Sequence, residues 1–167
     1  YTSGAYDVGP RGELVYTRGT AWRPADLVSV VAGETRALTA LNEDLLGARR
    51  LGEVRELEVR SSLDGLPIQA WYVLPPDFEA SERYPLVLEI HGGPHLAYGP
   101  HFSAELQLLA AAGYVVVYDN HRGSSSYGEA FARLLTHKYS SSEDAADHLS
   151  TVDALMAEGF IDEQNLF

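Results

Sequence analysis

Two short runs, Leu86–Ile90 (LVLEI) and Tyr114–Tyr118 (YVVVY), constrain this chain more than anything else in it. Each is five residues long and close to continuously apolar. That pattern suits a strand covered on both faces, as in a parallel sheet, and not a strand with one face in water. Between the runs, Phe102, Leu106 and Leu109 recur at i, i+4 and i+7, the spacing of one helix face. A buried strand, a crossover helix and a second buried strand make the repeating unit of a parallel sheet. The fold class is therefore α/β.

The flanking sequence divides into recognisable pieces. From Ala5 to Thr39, short strand-like runs (AYDV, ELVYT, LVSVV, TRALT) alternate with turn residues such as Gly9-Pro10-Arg11-Gly12 and Gly33, which predicts a sheet meander. Leu41–Gly52 is polar and spotted with leucine, and reads as a linker or boundary. Val54–Val59 alternates apolar and polar, and Leu66–Leu74 returns after a turn, which predicts a hairpin. The expected organisation is residues 1–45 as one domain, 46–52 as a linker and 53–167 as the α/β portion.

Two more helices are expected beyond the second buried run. Ser126 with Glu129, and Ser140 with Glu143, have the spacing of capping boxes. The second helix would bury Ala145, Leu149, Val152, Leu155 and Met156 and close at Gly159. Phe160–Phe167 points towards a further strand.

Composition narrows the function classes. A formal net charge of -12 argues against nucleic acid or another polyanion as partner, and residues 53–167 hold eighteen of the 24 acids against six of the 12 bases. The absence of cysteine removes disulfides, thiolate nucleophiles and thiolate metal sites together. No apolar run approaches the roughly 20 residues that span a bilayer. The chain starts at Tyr1 and its single methionine is Met156, so it reads as an internal piece of a longer protein.

The loop after the first buried strand, His91-Gly92-Gly93-Pro94-His95, carries the clearest chemistry. Paired glycines let backbone N–H groups point bare into a cleft, and in α/β-hydrolases a loop at this position donates one hydrogen bond to the oxyanion of acyl transfer. From the glycine pair alone an ordinary tight turn is the readier reading, and the strand and helix on either side bring the two readings level. His91 and His95 are four apart, but Gly-Gly-Pro between them forbids the helix that would make them metal ligands. His101, His121, His137 and His148 show no ligand spacing, so neither metal nor cofactor is expected.

After the second buried strand comes Asp119-Asn120-His121-Arg122-Gly123-Ser124-Ser125-Ser126-Tyr127-Gly128, at the sheet end where ligands of open α/β folds bind. Its serines do not form a nucleophile elbow, because Tyr127 stands where Gly-x-Ser-x-Gly needs its second glycine, and the motif occurs nowhere else in the chain. Arg122 is either a cation that shapes this loop or a group that binds a carboxylate. The carboxylates Glu143, Asp144 and Asp147 read as a solvated helix face. Trp71, Tyr72, Phe78 and Tyr84 read as packing.

Taken together, Tyr84-Pro85-Leu86 leading to His91-Gly92-Gly93-Pro94-His95, then Tyr98-Gly99, Phe102, Asn120, Arg122-Gly123-Ser124, Tyr127-Gly128 and Phe131 resemble the prolyl oligopeptidase family of serine peptidases, especially its acylaminoacyl peptidase and dipeptidyl aminopeptidase branch. The resemblance implies a β-propeller followed by an α/β-hydrolase domain, with residues 1 to about 45 as the last propeller strands. It places the nucleophilic serine shortly after Phe167 and the acid and histidine of the triad further on. This chain would then hold the oxyanion donor, the backbone N–H of Gly93, with Gly92 shaping the turn. Arg122 and Tyr127 would be substrate-side residues.

His91 stands where some branches carry an oxyanion tyrosine, which favours a backbone donor. Lys138-Tyr139-Ser140-Ser141-Ser142 replaces a Gly-Asp-Trp-Gly-Gly stretch frequent in the family. The implied partners are a peptide substrate and the rest of the parent chain, with no nucleic acid or membrane, room for a homo-oligomer, and a cytoplasmic location. Two rival readings stand beside the peptidase: an esterase or lipase of the same fold, and a non-catalytic interaction protein on the same scaffold.

Overall fold

A computed structural model of the chain describes residues 4–167. The described residues fall into two compact units. One comprises the residues up to Leu51 together with Pro100–Ala104, and the other Gly52–Gly99 with Glu105–Phe167. The boundary near residue 51 lies where the sequence turns polar; the Pro100–Ala104 excursion has no marker in the sequence.

The first unit is a four-stranded antiparallel sheet of β1 (Tyr6–Val8), β2 (Leu14–Arg18), β3 (Asp26–Val31) and β4 (Glu34–Ala37), ordered β1-β2-β3-β4. The expected meander forms, and the short helix α1 (Glu43–Leu46) follows it within the polar stretch. Asp26 ties the end of this sheet to the chain leaving it, because its carboxylate accepts from Thr39 Oγ1 (2.7 Å) and from the Leu41 N–H (2.8 Å).

The second unit is built on β5 (Val54–Arg60), β6 (Pro67–Val73), β7 (Tyr84–Glu89), β8 (Val115–Asn120) and β9 (Ile161–Leu166), in the order β5-β6-β8-β7-β9. β5, β6 and β8 pair antiparallel, whereas β7 lies parallel to both β8 and β9. Between β7 and β8 the chain passes through α2 (Ala104–Ala111); α3 (Glu129–Ala132) and α4 (Ser142–Met156) precede β9.

Strand periodicity explains how this sheet is covered on two sides, since successive side chains point to opposite faces. Val115 and Val117 join Leu86, Tyr72, Val152 and Leu155 in one core cluster, the α4 side. Val116 and Tyr118 join Trp71, Val73, Leu106 and Ala110 in the other, the α2 side. Val115, Val116, Val117 and Tyr118 are each at most 1% exposed. A double-sided core requires the unbroken apolar run that the sequence shows.

One buried polar clamp fixes where this unit begins. The Gln107 side-chain amide on α2 accepts from the Gly52 N–H (2.7 Å) and donates to the Gly52 carbonyl (3.1 Å). A Cβ at Gly52 would lie 2.2 Å from the Leu74 carbonyl oxygen, so no other residue fits without moving β6. Among the described residues, no helix is long and apolar enough to cross a membrane.

Three helix expectations are corrected. Gly128, not Ser126, caps α3, which is a single turn continued by a 3-10 turn, Arg133–Leu135. Ser126 takes a left-handed φ of 78° and is unavailable as a cap. On α4 the capping box is Ser141 with Asp144, one residue later than expected, because Ser140 is itself left-handed at φ 59°. Finally, the buried face of α4 holds Asp144, Asp147, His148, Thr151, Val152 and Leu155, while Leu149 is 62% exposed. The first half of this helix buries polar groups, and the carboxylates expected in solvent at 144 and 147 are among them.

Candidate active site loops

The loop after β7 turns on Gly93, whose φ of 125° lies where only glycine is at ease. A Cβ there would meet the His95 N at 3.1 Å and the Leu96 side chain at 3.2 Å. At Gly92 an added Cβ would make only ordinary contact, 3.5 Å from the Tyr139 hydroxyl. Both glycines are exposed, and neither N–H donates a hydrogen bond among the described residues. Bare N–H groups at the carboxyl end of a buried parallel strand are what a developing oxyanion requires.

The loop after β8 holds this turn in place. His91 Nε2 lies 3.0 Å from Ser124 Oγ, and the Ser124 hydroxyl donates its one proton to the His121 carbonyl at 2.7 Å. Burial, the largest effect, lowers the His91 pKa from 6.5 and keeps the ring neutral. The neutral ring has one N–H to give, to Ser124 from Nε2 or to the Gly92 carbonyl from Nδ1 at 3.1 Å. His95 Nδ1 donates to the Gly123 carbonyl (3.1 Å), and the Ser125 N–H donates to the Leu96 carbonyl (2.9 Å). Gly123, at φ 90° and packed against Leu135, allows this approach.

Asn120 and Tyr127 extend the stitching. The Asn120 side chain accepts from the Tyr98 N–H (2.7 Å) and donates both to the Tyr98 carbonyl (3.0 Å) and to the Tyr127 hydroxyl (2.7 Å). Tyr127 in turn donates to Gln69 Oε1 (2.5 Å), with 38% of the residue exposed.

Arg122 is 2% exposed, and its guanidinium is fully engaged within the fold. Nε and one terminal nitrogen grip the Asp147 carboxylate at 2.9 Å each; the terminal nitrogens also reach Asp64 (3.0 and 3.2 Å) and Ser61 Oγ (3.1 Å). The Asp147 carboxylate also takes the Arg122 N–H at 2.8 Å. Hydrogen bonding to Asp147, then to Asp64, raises the Arg122 pKa above its ordinary value. The guanidinium thus ties the loop after β8 to Asp147 on α4 and to Asp64.

Behind the loop lies a group that residue spacing did not reveal. The rings of His91 and His121 stand 4.7 Å apart, and those of His121 and His148 4.6 Å apart, with Asp119 beside them. Burial, then the nearby His148 and His91, lower the His121 pKa to about 4. Burial opposes charge on His148 as well, but the Asp119 hydrogen bond and the carboxylates of Asp119, Asp144 and Asp147 outweigh it and raise its pKa.

Comparison with known proteins places these loops in a family setting. Residues 100–167 match the prolyl oligopeptidase family. The peptidase YuxL of Bacillus subtilis (strain 168), itself described as uncharacterized, is 36% identical over 86% of this chain and 22% of its own length. The Pyrococcus horikoshii acylaminoacyl peptidase in its orthorhombic crystal form superposes with a TM-score of 0.85 at 34% identity, covering 97% of this chain and 25% of that one. An acylaminoacyl peptidase in complex with Z-Gly-Gly-Phe-chloromethyl ketone gives a TM-score of 0.87 at 33% identity, with the same coverage. The chain thus spans between a fifth and a quarter of the length of these relatives.

Proposed function

We propose that this chain is a portion of a prolyl oligopeptidase family member and that it supplies the oxyanion-binding part of a serine peptidase that cleaves peptides or N-acylated peptides through an acyl-enzyme. The observation that carries this reading is the Gly93 N–H, exposed and without an acceptor among the described residues, on a loop that only glycine can make. In this reading a serine attacks the scissile carbonyl, the carbonyl oxygen takes up negative charge, and the Gly93 N–H donates to it while the leaving amine is protonated. Water then releases the acyl group. The serine, acid and histidine of the triad come from sequence other than residues 1–167, where Gly-x-Ser-x-Gly does not occur.

The roles of the other loop residues follow. Arg122 is a positioning residue that holds the loop after β8 to α4, and Tyr127, partly exposed, is the one of the pair left with a face for substrate. The four-stranded antiparallel unit is read as propeller strands, supported by the extent of the superposition on the Pyrococcus enzyme.

The test uses the full-length protein, a fluorophosphonate probe and matched peptide and ester substrates. One labelled serine together with hydrolysis of N-acyl or dipeptidyl amides is the expected result. An unlabelled protein would select the non-catalytic reading, and labelling with turnover of esters alone would select an esterase; either outcome overturns the proposal.

A further inference from the structure

Asp119 and His121 flank Asn120 at the end of β8, and His148, 27 residues further on, converges on them in the fold. Asp119 has the same parity on β8 as Val115 and Val117, so its side chain faces α4, where His148 sits one turn after Asp144. His121 follows directly in the loop. The three are 1%, 1% and 8% exposed, and one ligand atom from each lies within 4.8 Å of the other two.

Two of these atoms lack hydrogen-bond partners among the described residues. Asp119 Oδ1 accepts no hydrogen bond, although His148 Nδ1 is 3.0 Å away and bonds Oδ2 at 3.2 Å; His121 Nδ1, at 3.9 Å from Asp119 Oδ1, has no partner either. Buried polar atoms are rarely left so; Asp119 Oδ1 keeps an ion-pair contact with His148, but His121 Nδ1 gives up its hydration with no partner in return. At 3.9 Å the two do not bond each other. A cation between them satisfies both at once.

We propose that Asp119, His121 and His148 form a binding site for a divalent metal ion of the zinc class. The donor set decides the class: two imidazole nitrogens and one carboxylate oxygen suit zinc and its neighbours, whereas calcium and magnesium take oxygen ligands. A tetrahedral zinc with bonds of about 2.1 Å sets its ligand atoms about 3.4 Å apart. The observed separations of 3.0 and 3.9 Å straddle that value, so small side-chain rotations complete the geometry. The remaining coordination position opens on a cavity of about 310 Å³ lined by Ile90, Tyr139 and Ser141, with room for a water molecule.

The ion's role is structural. It joins the end of β8 to α4 immediately before Arg122-Gly123-Ser124, the residues whose contacts set His91 and His95 on either side of the glycine pair. The site owes nothing to the peptidase reading, and fluorophosphonate labelling and metal binding report on the two separately.

The experiment uses the full-length protein stripped with a chelator and dialysed, then titrated with zinc chloride alone, followed by calorimetry and elemental analysis. Cobalt(II) as a spectroscopic stand-in reports ligation by its visible absorption. The expected result is one zinc per chain, a rise in Tm with zinc, and a tetrahedral cobalt spectrum. His148→Gln and His121→Asn should each weaken zinc binding at least 100-fold, while His101→Gln, at an exposed histidine outside the cluster, leaves it unchanged. Because a cluster variant can misfold, the cobalt spectrum of the unaltered protein stands as an independent arm. Absence of stoichiometric zinc binding, an octahedral cobalt spectrum, or an equal loss in His101→Gln overturns the proposal.

Discussion

Replacing Arg122 by methionine separates a structural cation from a substrate-binding one. The variant keeps the aliphatic stem but leaves the Asp147 carboxylate, which is 0% exposed, with only the Arg122 N–H as a remaining partner from this residue. Removing one member of a buried ion pair costs about 3–5 kcal/mol, because the other charge stays desolvated. The lost contact with Asp64, whose side chain is 49% exposed, adds at most about 1 kcal/mol. A loss of this size is a large share of the roughly 5–15 kcal/mol that holds a domain folded, and corresponds to a fall in Tm on the order of 10 °C.

The double variant Arg122→Met, Asp147→Leu discards both charges and should recover most of that loss. Recovery stops short by about 1 kcal/mol, since the Arg122 N–H then lacks its acceptor. Urea and thermal unfolding of the full-length protein measure both variants, with kcat and KM taken alongside. The reasoning is refuted if Arg122→Met unfolds within about 1 kcal/mol of the parent while KM alone rises, or if the double variant is no more stable than the single one.

Three further outcomes follow from particular contacts. Gly93→Ala forces a side chain into a left-handed position with 3.1 Å to the His95 N, and displacing this donor should lower kcat by about 10²–10³ with little change in Tm, whereas Gly92→Ala stays within a few-fold. Asp144→Ala removes the carboxylate that takes the Ser140 and Ser141 N–H groups (3.0 and 2.7 Å) and should cost about 0.5–2 kcal/mol in thermal unfolding. The Leu41 N–H, then Thr39, hold Asp26 below its ordinary 3.8; the stability it contributes is present above the unfolded-state value and lost as pH falls through the folded one. The gap between parent and Asp26→Asn in an acid unfolding series should therefore be constant near neutrality and close below about pH 4.

The sheet was legible because its signals are local. An apolar run such as Val115–Tyr118 reports two covered faces by itself, and the meander of β1–β4 is written in its turns. The buried face of α4 was not, because the search for an apolar stripe assumes that burial follows apolarity. Here Asp144 accepts from the backbone of its own helix start and Asp147 from Arg122, so both bury with their oxygens hydrogen-bonded, and Leu149 is turned outward instead. The glycine pair was readable from its place after a strand. The roles of Ser124 and His95 in bracing it were not, since those contacts cross 33 and 28 residues and are made by the fold alone. The histidine cluster was invisible for the same reason.

The Gln107 clamp sets a rule for anyone dividing this protein into pieces. A side-chain amide that reads both the N–H and the carbonyl of one glycine behaves like a single rung of sheet, and it makes Gly52 the first rung of the second unit although the polar run around it invites a cut there. An expression boundary placed after Gly52 would strand Gln107 in an apolar interior with both amide atoms unanswered. One placed ahead of Leu51 keeps the rung, and with it the anchorage of α2 against the strands.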